Sequence, residues 1–193
     1  MSLGIQIAVG IICGLILGFF AVMGTINSKE KELKKAWNNL VEALNVRYLK
    51  LKNVLNFLKR HMDGFQDEID QLILLCDEAI DTEINLNNIV NRLEIENAIN
   101  FKLEDIKANM ANFPSLQNDP EVDEAILAIA ESEAYVGEAV RAYNSGNLEY
   151  RVLIETFPVS FVAWILNKNS DIIPFSVTQK EEFDDNYIDE DEV

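Results

Sequence analysis

Between Ser2 and Ser28 this sequence has no charged side chain, and its 193 residues include one histidine, two cysteines and four prolines. Each shortage excludes something. With His61 alone, neither a di-iron carboxylate bundle, which needs two Glu-x-x-His motifs, nor a Cys/His zinc site can be assembled. Cys13 falls in the apolar N-terminal run and Cys76 far beyond it, so no disulfide within one chain is expected. Basic residues are also scarce: 16 Lys and Arg against 33 Asp and Glu leave a formal charge of −17. That balance argues against nucleic-acid binding, whose affinity rests on phosphate contacts. No glycine-rich phosphate loop, nucleophile elbow or kinase-type signature is present. The sequence therefore predicts no enzyme, no cofactor and no metal. His61, in Lys59-Arg60-His61-Met62, is expected to cap carbonyls or face solvent.

What the N-terminus does have is an almost wholly apolar run from Ile5 to Met23. At about 1.5 Å per residue, roughly 20 such residues cross a ~30 Å hydrocarbon core. A helix satisfies its own backbone polar groups there, which lipid cannot do. A cleaved secretory signal would carry a basic n-region and a shorter apolar core. Here no Lys or Arg precedes the run, and Ile11-Ile12 before Cys13 do not suit a lipoprotein signal. The expectation is an uncleaved single-pass anchor in contact with membrane lipid. Gly10, Gly14 and Gly18 fall at i, i+4 and i+8, one stripe of small residues along which two span helices can pack closely. A homo-oligomer is expected from that stripe. Lys29, Lys31, Lys34 and Lys35 follow the span, while only the terminal amine precedes it. By the positive-inside rule the N-terminus lies outside and the larger C-terminal part in the cytoplasm.

After the anchor some 160 residues remain, about one domain. From Asn27 to Met62 there is neither Gly nor Pro. Trp37, Leu44, Leu51 and Leu58 recur every seven residues, and Val41, Tyr48, Leu55 and Met62 make a second row beside them. Together they form the stripe of an amphipathic, coiled-coil-like helix. Asn27 or Ser28 caps it if the chain pauses at the membrane surface; otherwise the span runs straight on. Asp63-Gly64 breaks it. A second helical region starts near Phe65, with Ile69, Leu72, Cys76, Ala79, Leu86, Val90 and Leu93, then Ile99, Leu103, Ile106 and Met110, before Pro114 stops it. The Asn-rich patch Asn85, Asn87, Asn88 and Asn91 is where this long region would break. Asp119 is a good N-cap and Pro120 a good first residue for the next helix, which carries Val122, Ile126, Ile129, Ala130, Val136, Val140, Tyr143, Leu148 and Ile154. Ser145-Gly146-Asn147 is expected to weaken its middle. Phe157-Pro158 marks a bend. The apolar run Val159–Leu166 is too short to span a bilayer and reads as core or partly interfacial, with Trp164 as a surface anchor. From Lys180 the acidic residues Glu181, Glu182, Asp184, Asp185, Asp189, Glu190, Asp191 and Glu192 predict a solvated, disordered tail, or else a docking tail for a basic partner.

The C-terminal third carries Glu133, Arg141, Tyr143-Asn144, Tyr150, Ile154-Glu155-Thr156-Phe157-Pro158 and Ile173-Pro174-Phe175. In order and spacing these resemble the signature of the LemA family. Phe113-Pro114-Ser115-Leu116 looks like that family's Tyr-Pro-Asp-Leu, and Ala36-Trp37, Arg47 and Asn53-Val54-Leu55 are similar to its first helix after the anchor. The chain departs from the pattern at Lys52, where the family has proline, at Arg151, where it has Asn, and at Ser145-Gly146. Lys52 in place of proline predicts a straighter first helix. The resemblance implies a single-pass bacterial membrane protein with an antiparallel, four-helical bundle; it implies no enzymatic activity.

The reading as a whole is an all-α chain: a transmembrane anchor at 1–28, an antiparallel bundle of three to four long helices at 29–178, and an acidic tail at 179–193. Functionally it predicts a self-associating scaffold of the bacterial plasma membrane that organises or shapes a membrane region. The alternative is a tethered adaptor that recruits an unidentified protein, such as a membrane protease or signalling protein, through its bundle or tail. Gly10, Gly14 and Gly18 are the candidate packing residues. Glu133, Arg141, Tyr143, Asn144, Tyr150, Phe157 and Pro158 are candidates for a subunit or partner contact. Glu133 and Arg141 share a helix face, so the same residues also suit a polar clamp between bundle helices.

Overall fold

The computed structural model describes residues 3–82, 89–116 and 119–176, and within them every regular element is helical. Five α-helices follow in order: α1 (Leu3–Leu58), α2 (Gln66–Asp81), α3 (Ile89–Met110), α4 (Pro120–Glu155) and α5 (Val159–Ile165), with a 3-10 turn at Pro114–Leu116 before α4.

The N-terminal apolar helix, long enough to cross a membrane, does not pause at Asn27-Ser28. The apolar run and the amphipathic stretch after it are one rod of 56 residues, as the absence of Gly and Pro from Asn27 to Met62 permits. The Thr25 hydroxyl donates to the Ala21 carbonyl at 3.1 Å inside the helix. The rod has two regimes. Every residue from Leu3 to Gly18 is exposed, whatever its face. From Ile26 onward one stripe is buried: Ile26, Leu33, Trp37, Leu40, Leu44, Tyr48, Leu51, Leu55 and Leu58. Both heptad rows read from the sequence lie on that stripe as far as Leu58, with Val41 at its half-buried edge and Met62 buried just beyond the helix end. Each buried Leu contributes about 1.5–3 kcal/mol relative to exposure. The helix continues unbroken through Lys52, whose ammonium pairs with Asp77 on α2.

Gly64 turns the chain at φ +88°, a left-handed conformation that glycine adopts without a Cβ clash. The single long middle helix allowed by periodicity is two helices. α2 ends at Asp81, with Thr82 already extended at φ −70° and ψ 115°, and α3 begins at Ile89. Asn85, Leu86, Asn87 and Asn88 lie outside the described residues. The core-facing residues of α3 are Ile89, Arg92, Glu96, Ile99, Leu103 and Ile106. Val90, expected on that face, is 50% exposed.

α4 starts as read. The Asp119 side chain accepts from the Glu121 amide at 2.9 Å, with Pro120 in the first turn. Ile126 and Leu148, expected in its apolar stripe, are exposed. The helix runs unbroken through Ser145-Gly146-Asn147. A Cβ at Gly146 would stand 3.8 Å from Leu33 Cδ1, so the position faces α1 with room for a methyl group. α4 packs along α1, and the short α5 packs on both. The acidic tail lies outside the described residues.

Candidate functional site

Two polar constellations join distant parts of this fold. The first is a buried charge cluster. Glu96 on α3 accepts from Arg47 Nη1 on α1 at 3.0 Å, and Arg92, one turn before Glu96, brings its Nε to 3.2 Å from the same carboxylate. Arg47 also donates to Asn100 through Nη2. Arg92 donates to the carbonyl of Ala79, in the last turn of α2. That turn has no basic residue of its own, so Arg92 supplies the cation that the negative end of the helix dipole favours. The guanidinium also sits 4.9 Å from the centroid of the Tyr48 ring, a cation–π contact out of water. Through Arg47, Glu96 and Arg92 the cluster thus joins α1, α2 and α3. Burial pushes the Glu96 carboxyl up, to about 7, against the pull of Arg47. Burial also lowers Arg92, to about 10.

Sequence reading missed this cluster, although a signal was present. Arg92 and Glu96 occupy the core register of α3, between Ile89 and Ile99. Charges on an apolar stripe are charges that need partners.

The second constellation is a clamp on the chain after α5. The Asn144 side chain accepts from the Phe175 amide and donates to the Phe175 carbonyl, both at 2.8 Å. Tyr143 donates through its hydroxyl to Ile173 O at 3.0 Å, and Asn147 donates to Ile172 O at 3.0 Å. Spaced over one helical turn of α4, these side chains satisfy backbone groups of a segment with no regular secondary structure of its own. Phe175, fully buried, and Tyr143 then flank Trp37 of α1, with ring centroids 6.4 Å and 5.1 Å from it. Burial raises the Tyr143 hydroxyl to about 12, so it is a neutral donor at physiological pH.

The residues singled out from sequence are thus distributed rather than gathered. Tyr143 and Asn144 belong to the clamp. Tyr150 is buried. Glu133 stands 3.7 Å from Lys107 of α3. Arg141 is exposed and lies along Gly137, so Glu133 and Arg141 do not meet despite sharing a helix. Phe157 is 81% exposed, and its peptide bond to Pro158 is cis. Gly10, Gly14 and Gly18 face open space, with no other part of the chain packed against them. His61 Nδ1 lies 3.1 Å from the Phe57 carbonyl, and its ring stacks on Phe57.

An apolar groove runs between α3 and α4 over α1, with Leu55, Leu58, Ile106 and Val122 in its lining and Lys107 and Glu133 beside them. Among the described residues no group of three or more His, Cys, Asp and Glu side chains is placed to hold a metal ion. No protein-family model matches this chain, and a comparison with curated proteins gives no match.

Proposed function

We propose that this chain is a membrane-anchored, self-associating helical scaffold of the LemA type, with no catalytic role. In this reading α1 crosses the bacterial plasma membrane once through its uncharged first half, and the remaining helices form an antiparallel bundle in the cytoplasm. The observation that carries it is the 56-residue α1, lined on one side by bundle core and bare on all sides from Leu3 to Gly18. An apolar helix with no protein around it needs another apolar surrounding, and it meets none of its own chain along Gly10, Gly14 and Gly18. Lipid supplies one neighbour and a second copy of the glycine stripe the other.

Pairings along the helices support the antiparallel arrangement. Lys59 meets Asp70 while Lys52 meets Asp77, and Trp37 meets Tyr143 while Lys29 meets Glu149. Rising numbers on α1 face falling numbers on both neighbours. Because α1 is continuous, association in the bilayer fixes where each bundle projects, which is what a scaffold requires.

The test is particle mass in mild detergent for the wild type and for Gly10→Leu, Gly14→Leu and Gly18→Leu combined. A large uniform assembly that falls apart in the triple variant supports the scaffold. An unchanged small particle in both refutes it. The adaptor reading is favoured by one observation, the apolar groove between α3 and α4; it predicts a partner that binds the monomeric variant as well as the wild type.

A further inference from the structure

The apolar surface of this chain does not end with the span. The segment from Phe157 to Asn167 contains no charged residue, and α5 within it is amphipathic in an unusual direction. Val162 and Ala163 are buried inward. Outward, Phe161 is 58% exposed, Trp164 76% and Ile165 48%, with Phe157 beyond them. Phe161 and Trp164 stack on each other, with centroids 6.3 Å apart, at the surface. Leu148 and Val152, one turn apart on α4, extend the same kind of exposed surface. The fold leaves about half or more of each of these side chains in water, which is costly.

Their position along α1 says what covers them. α5 packs on α1, and α1 has partly buried core partners as far back as Phe19 and Val22. The chain just after α5 is tied to the first charged turn of α1 by the Lys168–Glu30 ion pair, and α4 is tied there by Lys29–Glu149 at 3.1 Å. Some 20 residues counted from Leu3 fill a ~30 Å hydrocarbon core and end near Met23. The exposed aromatic face therefore lies at the level where acyl chains give way to headgroups, where Trp is enriched because its ring is apolar and its N–H is not.

We propose that α5 is an interfacial helix, inserted edge-on into the leaflet through Phe157, Phe161, Trp164 and Ile165, so that the bundle is seated on the lipid rather than held off it by a stalk. The occupant of this face is the headgroup–acyl boundary of the bilayer itself. The inference rests on the anchored reading above and adds a second membrane contact, some 140 residues later in the chain.

The experiment uses full-length protein in phosphatidylcholine–phosphatidylglycerol vesicles, with lipids brominated either near the headgroup or near the acyl-chain terminus. The chain has two tryptophans. Subtracting the emission of Trp164→Phe, which retains the buried Trp37, leaves the signal of Trp164 alone. The expected result is loss of most Trp164 emission with shallow bromines, much less with deep ones, and little change at Trp37. Protein that resists alkaline extraction from the vesicles but shows an unquenched Trp164 overturns the interfacial helix while leaving the anchor intact. Blue-shifted, unquenched emission also overturns it and assigns the face to a second copy. Protein released by alkali overturns the anchor and this proposal together.

Discussion

Arg47 and Glu96 are 49 positions apart in sequence and 3.0 Å apart in space, and both side chains are almost wholly removed from solvent. Desolvating such a pair costs several kcal/mol per ion, so its presence adds little net stability, yet removing one partner strands the other. Glu96 is the one carboxylate between two guanidiniums. Glu96→Leu should therefore cost about 3–5 kcal/mol, more than Arg47→Met. Glu96→Gln should be milder than either, because burial already raises that carboxyl toward its neutral form. Thermal unfolding followed by helical circular dichroism ranks the three. A Glu96→Gln variant as damaged as Glu96→Leu would refute the account.

Two glutamates give stability opposite slopes with pH. The folded Glu96 carboxyl is raised from 4.5 to about 7, so the folded state holds the extra proton in that window. Its contribution is complete below 4.5 and is lost as pH rises to about 7. Glu30 is lowered instead, chiefly by its hydrogen bond from Lys168 and then by that from Lys34. Its contribution is present above 4.5 and is lost as pH falls through the lowered value. Glu96→Gln should flatten the near-neutral slope, and Glu30→Gln the acidic one. Denaturation midpoints measured across pH for both variants check the signs; exchanged slopes would contradict the assignment.

Asn144 makes two bonds to one residue, Phe175. Asn144→Ala should loosen the segment 172–175 and cost about 1–3 kcal/mol. Asn144→Asp keeps an acceptor for the Phe175 amide but sets a carboxylate oxygen against its carbonyl, so it should not rescue the loss. Amide hydrogen exchange at Phe175 is the readout. Protection equal to wild type in Asn144→Ala would mean that packing against Trp37, not the clamp, holds the segment.

The turn between α1 and α2 depends on Gly64 at φ +88°. Gly64→Ala has open space around its Cβ, so any penalty is backbone strain alone, about 1–2 kcal/mol. Gly64→Asn should recover part of it, since Asn tolerates the left-handed region better. Equal melting temperatures for Ala and Asn would point away from strain.

Local patterns were legible in the sequence alone. The uncharged run, the heptad rows from Trp37 to Met62, the break at Asp63-Gly64 and the Asp119-Pro120 start each depend on residues close in sequence. Periodicity and capping report such features directly, because they are one helix's own business. Tertiary structure decided the rest. Ser145-Gly146-Asn147 reads as a weak point by propensity, yet α4 continues through it, with Asn147 bonded to the Ile172 carbonyl. Val90, Ile126 and Leu148 read as core, yet face outward because a helix buries only the side its neighbours cover. The partners of Arg92 and Glu96 had to come from α1 and α2, and the irregular segment at Phe175 had to find Asn144 about thirty residues back. A sequence displays which groups must be paired. Only the packing of distant helices determines with what.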